Sequence, residues 1–148
     1  MNKEEKYKLL FEQISALTEG ETDEVAVMAN AAAAILLEMG FWWTGFYRVK
    51  NGELVLGPFQ GPVACMHIGY GKGVCGTAWK QGETIVVPDV ELFPGHIACS
   101  SESRSEIVVP VRNEAGEITA VLDIDSRELA TFDDTDKQWL EEIVQVMK

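Results

Sequence analysis

No apolar run in this chain approaches the roughly 18 residues that a membrane span requires; the longest candidate, Ala31–Leu37, is alanine-rich and far too short. Basic residues are scarce as well. The 12 Lys and Arg stand against 24 Asp and Glu, a net charge of −12, which repels phosphate and argues against nucleic acid as a partner. That balance favours neutral, zwitterionic or cationic ligands. Cysteine is limited to three residues, an odd count that builds no secreted disulfide framework, and no C-x-x-C pair is present. The opening Met1-Asn2-Lys3-Glu4-Glu5-Lys6 carries both signs and lacks the basic start and apolar centre of a signal peptide, so a cytoplasmic location is expected. No linker, repeat or low-complexity segment interrupts the 148 residues, which fit one domain spanning 1–148.

What is scarce is also concentrated. All three cysteines and both histidines fall within Gly57–Cys99, among glycines and prolines. Packing alone has no need for a turn-rich segment carrying every thiol and imidazole, and loops on a rigid scaffold are where chemistry gathers. Two acidic clusters follow, Glu102/Glu106 and Asp123/Asp125. Thiols beside carboxylates suggest redox work on a small polar molecule.

Tyr7, Leu10, Phe11, Ile14 and Leu17 recur at helical spacing and predict an amphipathic helix over 4–18. A second helix is expected from an N-cap at Thr22 to Met39, where Gly40 stops it. Phe41–Lys50 reads as a strand, turned by Asn51-Gly52 into a second strand, Glu53–Phe59. A short helix is expected near Val74–Gln81, then a strand at Thr84–Val87 and irregular loop over 88–104. A last helix, stapled by Phe132 and capped by Asp133 or Asp134, is expected to run to the end with Trp139, Ile143, Val146 and Met147 inward. Consecutive strands joined by short turns, with helices at both ends, indicate an α+β fold whose antiparallel sheet is covered on one face.

The hairpin Ser105–Arg112/Glu117–Asp125 sorts the acids. Alternation puts Ile107, Val109 and Val111 with Ile118, Ala120, Leu122 and Ile124 on a core face, and Glu106, Asp123 and Asp125 on the other. A four-residue loop sets Glu106 opposite Asp123; another loop length shifts the pairing without moving the acids off that face. The same alternation places Phe41, Trp43, Gly45 and Tyr47 together. An ordinary solvated face is the plain alternative, but no lysines accompany these acids. Three carboxylates by an aromatic wall suit a pocket for a small cation or zwitterion. Their mutual repulsion favours protonation of one at neutral pH.

The run Trp43-Thr44-Gly45-Phe46-Tyr47, the segment Gly57–Cys65, Gly73-Val74-Cys75-Gly76, Phe93–Cys99, Ser105-Glu106-Ile107-Val108 and Val121–Ser126 together resemble a free methionine-(R)-sulfoxide reductase of the GAF-domain type. The resemblance covers roughly Phe41–Ser126 in consistent order. It implies a GAF-like fold, with the terminal helices packed on one face of a central antiparallel sheet. It further implies reduction of the R epimer of free methionine sulfoxide, thioredoxin as the reductant, no cofactor, and a homodimer through the terminal helices. By the same resemblance Cys99 is the nucleophile and Cys65 the resolving thiol. Cys75 is an auxiliary thiol able to pair with Cys65. Glu106, Asp123 and Asp125 are substrate carboxylates, and Trp43 and Tyr47 wall the S-methyl group. Ser100 departs from the pattern, which has an aspartate after the nucleophile; this bears on the tuning of Cys99 rather than on the reaction class.

The residue types suit that chemistry. A sulfoxide oxygen leaves poorly until protonated, so a neutral acid, Asp125 or Glu106, is needed beside it. The thiolate becomes a sulfenic acid, which condenses with a second thiol and is reset by an external dithiol. Rival readings are weaker. Buried structural cysteine is the usual fate of a lone thiol, and a zinc site from Cys65, His67, Cys75, His96 and Cys99 lacks a C-x-x-C pair, so no metal is expected. Gly71-Lys72-Gly73-Val74-Cys75-Gly76 matches G-x-G-x-x-G outside any βαβ unit, which leaves its glycines to shape a loop. The main alternative from another class is a non-catalytic GAF module that senses a small ligand.

Overall fold

Side-chain caps start three of the α-helices where the chain needs them. In the computed structural model, which describes residues 1–97, 99 and 101–147, Asn2 and Glu5 form a reciprocal capping box that opens α1, Lys3–Thr18. Helix α2, Glu24–Met39, is capped by Asp23 rather than by the expected Thr22. The Asp23 carboxylate accepts from Val25 N and Ala26 N, and its charge suits the positive helix end. Gly40, at φ 74°, ends it. Strands β1, Trp43–Lys50, and β2, Glu53–Gln60, join through Asn51 and Gly52, both at positive φ as a tight hairpin turn requires. There follow β3, His67–Gly69, α3, Gly73–Gln81, and β4, Ile85–Val87, then a single 3-10 turn at Val90–Leu92. The chain ends with β5, Ser105–Arg112, β6, Ile118–Ser126, and α4, Asp134–Val146, whose N-cap is Asp133. The short β3 carries no alternation that sequence reading can detect.

The strands form one antiparallel sheet in the order β3-β2-β1-β6-β5-β4. Helices α1, α2 and α4 pack on one face, where Leu10, Ile14, Ala31 and Ile35 meet Phe46, Ile107, Leu122 and Ile124. The Ala31–Ala34 run is helix core here. Leu17 departs from the expected inward face and is 46% exposed. A buried polar clamp ties α1 to α4: Tyr7 Oη donates to Asp136 Oδ1 at 2.5 Å, and Lys3 Nζ donates to Asp136 Oδ2 at 2.6 Å.

The opposite face is covered too, which corrects the expectation of a one-sided sheet. Strand β5 is buried from Ser105 to Val111, because Val108 joins Val121, Tyr47, Leu54, Val74 and Ala78 in a second apolar cluster under α3. Phe41 precedes β1 and turns the other way, packing on Phe132 with ring centroids 5.2 Å apart instead of sharing a face with Trp43. The β5–β6 register also differs: Glu106 pairs with Asp125, not Asp123. The turn takes in Glu117, whose N–H donates to Asn113 Oδ1, and an irregularity at Val111/Arg112 adds a further step. A displacement by an even number of residues preserves the face of every side chain.

Candidate active site

The site is assembled between that second face and the loops above it. Trp43 and Tyr47 stack with centroids 6.2 Å apart, and Phe59 continues the stack 5.3 Å from Trp43. Gly45 lies between them because a Cβ there would collide with Phe59 and with the Trp43 ring. The polar tips of the aromatics are committed to the backbone of the loop after β2. Trp43 Nε1 donates to Pro62 O at 2.9 Å, and Tyr47 Oη donates to Cys65 O at 2.9 Å. This positions Cys65, which is disulfide-bonded to Cys99 with Cα atoms 5.4 Å apart across a separation of 34 residues. Cys75, in the first turn of α3, remains a free buried thiol.

Strands β5 and β6 supply the acids. Glu106 and Asp123 are each 6% exposed, which rules out a solvated outer face, and Asp125 is half-buried. Ser103 Oγ donates to Asp125 Oδ1 at 3.2 Å, and Cys75 Sγ donates to Glu106 Oε2 at 4.0 Å. Asp123 Oδ1 has no hydrogen-bond partner among the described residues. Burial, then the charge of Asp123, holds Glu106 and Asp125 well above the usual carboxylate range. Burial raises Asp123 as well, against the opposing influence of Glu106 and Cys75. Burial, then Asp123, pushes the Cys75 thiol well up. His96 is lowered by burial, against the pull of Asp123.

Every expected site residue but Cys65 lines one cavity: Trp43, Tyr47, Cys75, Cys99, Glu106, Asp123 and Asp125; Cys65 reaches it through Cys99. The arrangement places a disulfide next to three buried or half-buried acids, within an aromatic wall. A GAF domain family model matches residues 21–147. The Escherichia coli protein named free methionine-R-sulfoxide reductase is 45% identical over 97% of this chain and 87% of its own length. The chain belongs to the GAF-domain free methionine-R-sulfoxide reductase family. The Dictyostelium discoideum GAF domain-containing protein A is 52% identical over 99% of this chain and 92% of its own. The Neisseria meningitidis free methionine-R-sulfoxide reductase, solved in complex with its substrate, superposes with a TM-score of 0.96 at 49% identity, covering 99% of this chain and 89% of that one.

Within this family framework the remaining candidates sort cleanly. His67 lies at the surface, with Nδ1 2.9 Å from Glu53 Oε1, so the five-residue zinc set is not assembled. Glu102 is likewise at the surface, 3.9 Å from Arg127. The G-x-G-x-x-G match forms the tight entry to α3: Gly73 takes φ 60°, and a Cβ on Gly76 would strike the Gly69 carbonyl. Ser100, like Ala98, lies outside the described residues. Sequence reasoning missed Trp42, Lys72 and Ser103, all lining the cavity. Trp42 and Lys72 carried a signal, beside Trp43 and between two glycines; Ser103 sits in a serine-rich loop and carried none.

Proposed function

We propose that the protein reduces free methionine-(R)-sulfoxide to methionine. The observation that carries this reading is the cavity in which the Cys65–Cys99 pair adjoins carboxylates whose burial raises their affinity for protons. In this reading the Cys99 thiolate attacks the sulfoxide sulfur while Glu106 or Asp125 protonates the oxygen. Two electrons pass to the substrate, methionine leaves, and the oxygen remains on Cys99 as a sulfenic acid. Cys65 condenses with it, forming the disulfide and releasing water. An external dithiol, for which we propose thioredoxin, then returns both thiols, and Cys75 serves as an auxiliary partner for Cys65. Asp123 pairs with the substrate ammonium, and Trp43 and Tyr47 wall the methyl group.

A ligand sensor without turnover has no use for a disulfide-forming pair at its cavity. A cytoplasmic location, where reductants keep thiols cycling, fits this reading; no helix among the described residues is long and apolar enough to cross a membrane. The exposed Leu9 and Leu17 of α1 and Leu37 of α2 support a homodimer through the helical face. Turnover with dithiothreitol tests the activity. The free R epimer should be consumed, and the S epimer and N-acetylated R substrate largely ignored, because acetylation deletes the ammonium and strands a buried charge. Comparable kcat/KM on the N-acetyl substrate removes the free-amino-acid assignment, and no turnover at all returns the sensor.

A further inference from the structure

Cys75, Glu106 and Asp123 arrive from three different elements, α3, β5 and β6, and one donor atom of each lies within 4.8 Å of the others. All three residues are buried. Asp123 Oδ1, on a side chain more than nine-tenths buried, meets no hydrogen-bond donor among the described residues. Buried polar atoms are almost always partnered, so an orphan beside a cavity marks the place of a ligand. The substrate ammonium accounts for that oxygen in one state, and the donor set suits another occupant. One sulfur and two carboxylate oxygens match a borderline divalent cation such as zinc, and they suit poorly a magnesium ion that demands six oxygens.

The oxidised state isolates this set. Cys65 and Cys99 are bonded to each other, leaving Cys75 as the free sulfur. Ligand atoms around a tetrahedral zinc stand about 3.3–3.8 Å apart, so side-chain rotations of about 1 Å close the site. The geometry points to binding of one zinc ion at Cys75, Glu106 and Asp123 in the disulfide form, mutually exclusive with substrate. Cys75 gives its thiol proton and Glu106 its carboxyl proton to solvent as the metal binds, and a water fills the fourth position from the cavity. The exclusion rests on the proposal that Asp123 receives the substrate ammonium; the zinc site itself does not.

Equilibrium dialysis of the oxidised full chain against chelator-buffered zinc chloride tests this without turnover. One zinc per chain is expected, with affinity reduced at least tenfold in Cys75→Ser and in Asp123→Asn, and unchanged in His67→Ala. Circular dichroism confirms that each variant is folded, and Glu106→Gln serves if one is not. Absence of stoichiometric zinc overturns the site, as does binding that survives in Cys75→Ser and disappears in His67→Ala. Saturating free methionine-(R)-sulfoxide should displace the ion, and zinc retained at full affinity overturns the exclusion. Failure of the proposed activity shows separately, as absent methionine production by reduced, zinc-free protein.

Discussion

Tyr47→Phe isolates how the sheet positions its redox cysteine. The ring stays against Trp43, and the single change is loss of the hydroxyl that donates to Cys65 O at 2.9 Å. A buried acceptor deprived of its donor costs about 1–3 kcal/mol. Cys65 is half-buried, so water reaches part of its carbonyl and the loss falls near the lower end, about 1 kcal/mol. For a chain of this length that lowers the melting temperature by about 3 °C. The kinetic consequence is more specific. If the same free energy holds the Cys65 loop over Cys99, its loss reduces the competent population about fivefold, and closure of the disulfide slows by that factor. The first methionine should be released with a far smaller change, since the cavity wall is retained. Rapid quench with a sulfenic-acid trap and intact mass measures the lifetime of the Cys99 intermediate. Disulfide closure at the wild-type rate, whatever the melting temperature, refutes the reasoning.

Cys99→Ser should abolish methionine production even in a single turnover, whereas Cys65→Ser should release about one methionine per chain and then fail to cycle with thioredoxin; thioredoxin-dependent cycling of the Cys65 variant would transfer the resolving role to Cys75. Glu106 and Asp125 have folded pKa values above their unfolded ones, so the native state retains protons that the unfolded chain releases above about pH 4. Stability from this source is complete below that pH and is lost as pH rises through the raised values. The double variant Glu106→Gln/Asp125→Asn should therefore raise the melting temperature more at pH 8 than at pH 5 while lowering the chemical rate, and an equal gain at both pH values would contradict burial as the cause. Tyr7→Phe removes a hydrogen bond to the fully buried Asp136 and should destabilise by about 2 kcal/mol in urea unfolding without altering KM.

The legible part of the fold follows from short-range rules. Tyr7, Leu10 and Ile14 point inward because their spacing leaves one apolar stripe, and Asn51-Gly52 closes a hairpin because both residues tolerate positive φ. Errors cluster where two candidates satisfied the same rule, as with Thr22 and Asp23, or where a short element had no pattern, as with β3. The hairpin register was open for a similar reason: a turn from Asn113 to Gly116 and one reaching Glu117 use the same residues, and only the paired strands choose between them.

Alternation by itself determined that Glu106, Asp123 and Asp125 leave the helical face, because a strand has a period of two and Ile107, Leu122 and Ile124 claim the other side. That result survives a shifted register. What those acids do was decided by tertiary structure. Burial under α3 and the Cys-bearing loops, not the spacing of the acids, raises their proton affinity, since desolvation depends on chain segments distant in sequence. The union of Cys65 with Cys99 is of the same kind. It exists because Tyr47 and Trp43 hold one loop where another returns 34 residues later, and no local pattern encodes that meeting.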